Sequence, residues 1–137
     1  EYSINFKDSA FTDIYNNYSS GCLMSINNLN ASELSMVVFN YDSALLLGTE
    51  LALLYFNNSL LFKKHLLNGY SEISFDNLIP GKYELYVIDD KDMNRSWSTG
   101  ILSSRRLPEE TIFSKTGIEL RANWEVEDSI SLKRAYK

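Results

Sequence analysis

The stretch Ile73-Ser-Phe-Asp-Asn-Leu-Ile-Pro-Gly-Lys-Tyr-Glu-Leu-Tyr-Val-Ile-Asp-Asp-Lys-Asp-Met-Asn-Arg-Ser-Trp97 decides how the rest of the chain is read. A short alternating run ends at Phe75, and Pro80-Gly81 supplies a tight corner. A second run then sets Tyr83, Leu85 and Val87 on one face and Lys82, Glu84 and Tyr86 on the other. Strand, turn and strand follow from that spacing, because a period of two fits no helix. The second strand empties into an acidic loop, Asp89, Asp90, Asp92 and Asn94, closed by Trp97.

Working outward, 137 residues with 45% hydrophobic content suffice for one domain with a real core, or for one domain plus a scrap of a neighbour. Tyr outnumbers Phe and helical Ala periodicity is scarce, so composition leans toward sheet. A net charge of -5, with Arg105-Arg106 as the one basic pair of note, argues against a nucleic-acid partner, since phosphate binding needs clustered cations. A single cysteine, Cys22, permits no internal disulfide and no thiolate metal cluster. The most apolar run, Ala44 to Phe56, is broken by Gly48 and Glu50 and falls short of the roughly 20 residues that cross a bilayer.

Residues 1–30 are rich in Asn, Ser, Asp and Tyr, with one alternating run at Tyr2 to Phe6, and read as a peripheral strand and linker ending a preceding domain. Because residue 1 already stands in strand-like text, the chain reads as a piece of a longer protein. Leu34 to Phe39 suits a strand followed by turn chemistry at Asn40 to Ser43. Glu50 to Phe56 could be a helix by propensity, but Asn57-Asn58-Ser59 and the returning Leu60 to His65 favour a buried strand in a hairpin. Lys115-Thr116-Gly117 reads as a turn. Beyond it Ile118, Leu120, Ala122, Trp124 and Val126 alternate with charged and polar residues, predicting one last strand with Trp124 turned inward. The expectation is an all-β, antiparallel Greek-key sandwich of about seven strands over residues 31–128, with a polar C-terminal tail at 129–137.

The segment Phe75-Asp76-Asn77-Leu78-Ile79-Pro80-Gly81-Lys82-Tyr83-Glu84-Leu85 resembles the Phe-x-x-Leu-x-Pro-Gly-x-Tyr-x-Leu signature of prealbumin-like sandwich modules, including carboxypeptidase regulatory-like and collagen-adhesin B-type repeats. A longer likeness covers three separated blocks. Asp90-Lys91-Asp92-Met93-Asn94-Arg95-Ser96-Trp97-Ser98-Thr99-Gly100, then Pro108-Glu109, then Arg121-Ala122-Asn123-Trp124 resemble, in order, the C-terminal module of Ig-like domain lipoproteins of Bacteroidetes. Phe6 to Tyr15 is similar to the last strand of the Ig-like repeat preceding that module. The resemblance implies a prealbumin-like or Ig-like fold whose structural signature is Phe75, Leu78, Pro80, Gly81, Tyr83, Leu85 and Trp124. It also implies an exported protein at the outer membrane or cell surface, attached through a lipid anchor outside this chain, with a periplasm-facing position as the alternative. Arg95 stands where that family has Gly, and Ser98 where it has Asp.

Asp90, Asp92 and Asn94 have the i, i+2, i+4 spacing by which a calcium loop turns oxygen ligands to one side. The sixth and twelfth positions of such a loop want Gly and Glu and hold Arg95 and Ile101, so a solvated turn is the competing reading. No other cofactor is suggested. His65 is the sole histidine and no nucleophile elbow accompanies it, while Glu125 and Glu127 share one strand face instead of opposing each other, so no enzyme is expected. Trp97 is the candidate ligand-binding residue, able to stack on a sugar ring or to fold back over the sandwich. Two functions follow. One is a non-catalytic envelope module with a structural or protein-interaction role in an outer-membrane assembly, with other envelope proteins as partners. The other is a carbohydrate-binding module of a surface glycan system.

Overall fold

The computed structural model describes residues 2–133 and divides the chain into two compact units, Glu1–Asn30 and Ala31–Lys137. In the first, β1 (Tyr2–Phe6) pairs antiparallel with β2 (Cys22–Ile26). The second strand had no counterpart in the sequence reading, because Cys-Leu-Met-Ser-Ile does not alternate apolar with polar residues. The intervening loop is held by Asp13, whose side chain accepts hydrogen bonds from the Tyr15 and Asn17 backbone N–H groups at 2.8 and 2.9 Å. Those bonds and the Asn17 amide hold its carboxyl below the ordinary range.

The second unit is all β, with two short 3-10 turns and no α-helix among the described residues. Seven strands form two sheets: β3 (Ser35–Tyr41), β6 (Glu72–Leu78) and β9 (Glu125–Ile130) in the order β6-β3-β9, and β4 (Glu50–Phe56), β5 (Ser59–His65), β7 (Gly81–Asp89) and β8 (Thr111–Leu120) in the order β5-β4-β7-β8. Their inner faces share one core. Val37, Phe39, Ile73, Phe75 and Leu78 meet Leu54, Tyr83, Leu85, Val87 and Leu120, all buried. This is the β-sandwich that the alternation at Tyr83, Leu85 and Val87 demands, since an apolar face has to be covered by a second layer.

The Asn57-Asn58 turn joins β4 to β5 with both residues at positive φ, the twist a two-residue hairpin requires. Pro80-Gly81 does something different: it carries the chain from the three-stranded sheet into the four-stranded one. Gly81 is required there by crowding. A Cβ on it would lie 2.5 Å from Cε2 of Phe56, whose ring packs 4.9 Å from that of Tyr83. The Tyr83 hydroxyl donates to the Ile79 carbonyl at 2.7 Å, pinning the corner from inside.

Five expectations are corrected. Lys115-Thr116-Gly117 is not a turn: it lies within β8, where Gly117 at φ 71° accommodates one extra residue opposite β7 between the Tyr83–Ile118 and Leu85–Lys115 pairs. The closing strand is not continuous. After Leu120 the chain turns, with Asn123 in the left-handed region and the Trp124 N–H donating to the Arg121 carbonyl at 3.1 Å, then crosses to the other sheet as β9. The faultless alternation from Ile118 to Val126 thus spans two strands and the corner between them. Trp124 sits on that corner, 46% exposed, with the Arg121 guanidinium 4.9 Å from its ring, and is not core. The sheets are not wholly antiparallel, because β9 pairs parallel with β3.

The fifth correction concerns the polar tail placed at 129–137. Ser129 and Ile130 complete β9, Ile130 is buried, Leu132 packs on the core and the Lys133 N–H donates to the Ile112 carbonyl at 3.0 Å. The remainder of that tail, residues 134–137, lies outside the described residues. At this margin Lys115 of β8 and Asp128 of β9 form an ion pair that joins the edges of the two sheets. Among the described residues no helix is long and apolar enough to cross a membrane.

Candidate functional site

β4 is apolar at every position from Leu51 to Phe56, which a strand open to water on one face would not be. Ala52 and Leu54 face the central core, while Leu51 and Leu53 belong to a second cluster with Ile88, flanked by Tyr55 and Tyr86. That cluster lies on the outer face of the four-stranded sheet. The segment 90–110 between β7 and β8 lies over it: Lys63, paired with Leu53, donates from Nζ to the Arg95 carbonyl at 2.7 Å.

Trp97, the candidate ligand-binding residue, is brought to this face. Its Nε1 donates to the Glu109 carbonyl at 2.9 Å, which fixes the indole while leaving it 47% exposed. Trp97, Tyr55 and Tyr86 line an open groove of about 350 Å³ floored by Leu53 and Ile88, with Asn58, Glu84 and Thr111 as its polar wall. The two tyrosine rings meet edge to face at 5.6 Å. The Tyr86 hydroxyl donates to Glu84 Oε2 at 2.9 Å, which pushes the phenol above its ordinary pKa and leaves the other carboxylate oxygen of Glu84 for a ligand donor.

One end of the segment holds the acidic residues. Asp90 directly follows β7 and is fully buried, and its backbone N–H donates to the Thr49 carbonyl at 2.9 Å. Its two carboxylate oxygens accept from the Asn94 and Arg95 N–H groups at 3.1 and 2.9 Å, so the carboxylate organises a tight turn. Met93 and Arg95 take left-handed backbone in that turn. The position where the resembled family carries Gly is thus one that favours Gly for a physical reason.

Asp92 accepts from the Ser98 hydroxyl at 3.0 Å and forms an ion pair with Arg106. The hydrogen bond from Arg106 holds its carboxyl down at about 2. Asn94, the third sequence-predicted ligand, points its chemistry elsewhere: its Oδ1 accepts from the Ser96 N–H at 2.7 Å and its Nδ2 donates to the Ser98 hydroxyl at 2.6 Å. Glu109 takes that place. One oxygen from each of Asp90, Asp92 and Glu109 lies within 4.8 Å of the others.

Sequence reasoning placed Asp90, Asp92 and Trp97 in one loop and missed Glu109, Tyr55, Tyr86, Asn58 and Glu84. The uninterrupted apolar run of β4 and the outward Tyr86 were the available signs that the outer face is covered. Glu109 carried no local sign, since its role depends on the return of the segment. The sole histidine, His65, ends the edge strand β5. Of the structural signature, Phe75, Leu78, Tyr83 and Leu85 are core and Pro80-Gly81 is the inter-sheet corner, whereas Trp124 is a surface residue. No protein-family model, no curated protein and no solved structure matches this chain.

Proposed function

We propose that residues 31–133 are a non-catalytic β-sandwich module of an exported, lipid-anchored bacterial envelope protein, with a structural or protein-interaction role as a subunit of an outer-membrane assembly. The observation that carries this reading is the groove on the outer sheet face, where Trp97, Tyr55 and Tyr86 form a partly exposed aromatic surface with hydrogen-bonding groups at its rim. Aromatic residues of this kind dominate the energetics of protein contacts. The cellular address rests on the three-block resemblance. The β1–β2 ribbon, with Tyr2, Ile4, Leu23, Met24 and Ile26 exposed, supports the reading of residues 1–30 as the end of a preceding Ig-like domain, since a two-stranded ribbon needs further strands to be stable in water.

A second reading, a carbohydrate-binding module, is favoured by the same groove's pairing of flat rings with Asn58 and Glu84, since sugars are held by stacking together with bidentate polar groups. Affinity capture from a native envelope fraction and binding to a glycan array separate the two. A stoichiometric protein partner lost with Trp97→Ala and Tyr86→Ala supports the assembly role, and glycan binding lost with the same substitutions supports the second reading. Partner capture and glycan binding that both survive these substitutions would refute the groove as the working surface.

A further inference from the structure

The acidic end of the 90–110 segment presents a charge problem that its own side chains do not solve. Asp90, Asp92 and Glu109 bring three carboxylates together, and among the described residues the cation paired with them is Arg106, on Asp92. Asp90 is fully buried and Glu109 is 6% exposed, so water screens neither well. Glu109 is oriented from its own backbone: its N–H donates to the Ser98 carbonyl at 3.0 Å, and its Oε2 accepts from the Ser98 N–H at 2.9 Å. The other oxygen, Oε1, is buried and has no hydrogen-bond donor. A buried carboxylate oxygen without a donor is rare and costly in a native protein.

We propose that Asp90, Asp92 and Glu109 bind one hard divalent cation of the calcium class. The donor set is all carboxylate oxygen, which selects hard cations over zinc or copper. The three donor atoms all lie within 4.8 Å of one another, no farther apart than the two ends of a pair of metal–oxygen bonds of about 2.4 Å, the calcium value. Asp90 and Asp92 come from the start of the segment and Glu109 from its end. The ion therefore clamps both ends of the structure that carries Trp97. This inference is independent of the function proposed for the groove, because it rests on the carboxylates alone.

Terbium supplies the probe, since it occupies calcium sites and luminesces when excited through a nearby indole. The Trp97 indole bonds the Glu109 backbone, next to the site. The whole chain, freed of metal, is expected to show tryptophan-sensitised terbium luminescence that calcium displaces, and a melting temperature that rises at millimolar calcium. Trp97→Phe should abolish the sensitised signal and keep the calcium-dependent rise, whereas Trp124→Phe should keep both. Glu109→Gln, and separately Asp92→Asn at its more exposed position, should weaken calcium binding at least about tenfold. Glu109→Gln should melt no lower than the parent in chelator, because the amide relieves the crowding of charge. A melting temperature indifferent to millimolar calcium with no sensitised luminescence would overturn the site. So would calcium binding that Glu109→Gln and Asp92→Asn leave unchanged.

Discussion

Replacing Gly81 by Ala tests the corner on which the sandwich turns. The new Cβ would sit 2.5 Å from Cε2 and 3.2 Å from Cζ of Phe56, with Cδ2 at 3.6 Å, an ordinary contact. Relief requires the ring to move by about 1 Å against Tyr83, and overpacking of this kind costs about 1–3 kcal/mol. With a urea dependence of about 1–3 kcal/mol per molar for a domain of this size, the unfolding midpoint should fall by roughly 1 M. The backbone of Gly81, at φ 156°, adds a cost of its own for any side chain. A double-mutant cycle separates the two. Phe56→Leu removes the two ring atoms nearest the new methyl group and retains bulk at the third, so Gly81→Ala should cost less in the Leu background by about 1–2 kcal/mol. An identical cost in both backgrounds would refute ring crowding as the reason for glycine, and a neutral Gly81→Ala would refute the geometry of the corner itself.

Arg95→Gly should stabilise the domain by up to about 1 kcal/mol, because it removes left-handed strain at φ 61° while the Arg95 carbonyl still accepts from Lys63; chemical denaturation reads it, and destabilisation would contradict it. Trp124→Ala should cost under about 1 kcal/mol, against about 3–5 kcal/mol for Phe75→Ala in the core, and equal losses in urea melts would restore Trp124 to the interior. Burial alone would push the Asp128 carboxyl up, but the Lys115 ammonium and the Ser129 N–H more than offset it and hold it below the ordinary range. A lowered folded value contributes stability above about pH 4, the unfolded carboxylate value, and loses it as pH falls through the folded one. Lys115→Met should therefore cost about 0.5–1 kcal/mol near neutrality and converge with the parent in acid, and a gap that persisted at the lowest pH would point to packing instead of charge.

Period-two alternation is a local property, and wherever it reports one strand against one core the sequence alone suffices. Tyr83, Leu85 and Val87 turn inward because Lys82, Glu84 and Tyr86 must not, and the Asn57-Asn58 hairpin forms because Asn tolerates left-handed backbone. The same reading failed at Trp124 because alternation does not register a corner. Asn123 bends the chain while the pattern of residue types runs on unbroken. Similarly, Gly117 in Lys115-Thr116-Gly117 serves a bulge as readily as a turn, and only the pairing of β8 with β7 chooses between them.

The amino-acid order by itself determined an all-β chain, the inward and outward faces of its strongest strands, and an acidic loop running into Trp97. Tertiary structure alone decided which residues from distant segments share a site. Glu109 joins Asp90 and Asp92, and Tyr55 and Tyr86 join Trp97, because a 90–110 excursion returns across the outer sheet face. The physical reason is range. Backbone conformation and strand alternation are set by neighbours a few residues apart, whereas a cluster of buried carboxylates or an aromatic groove exists only once the packed sheets have fixed where each loop begins and ends.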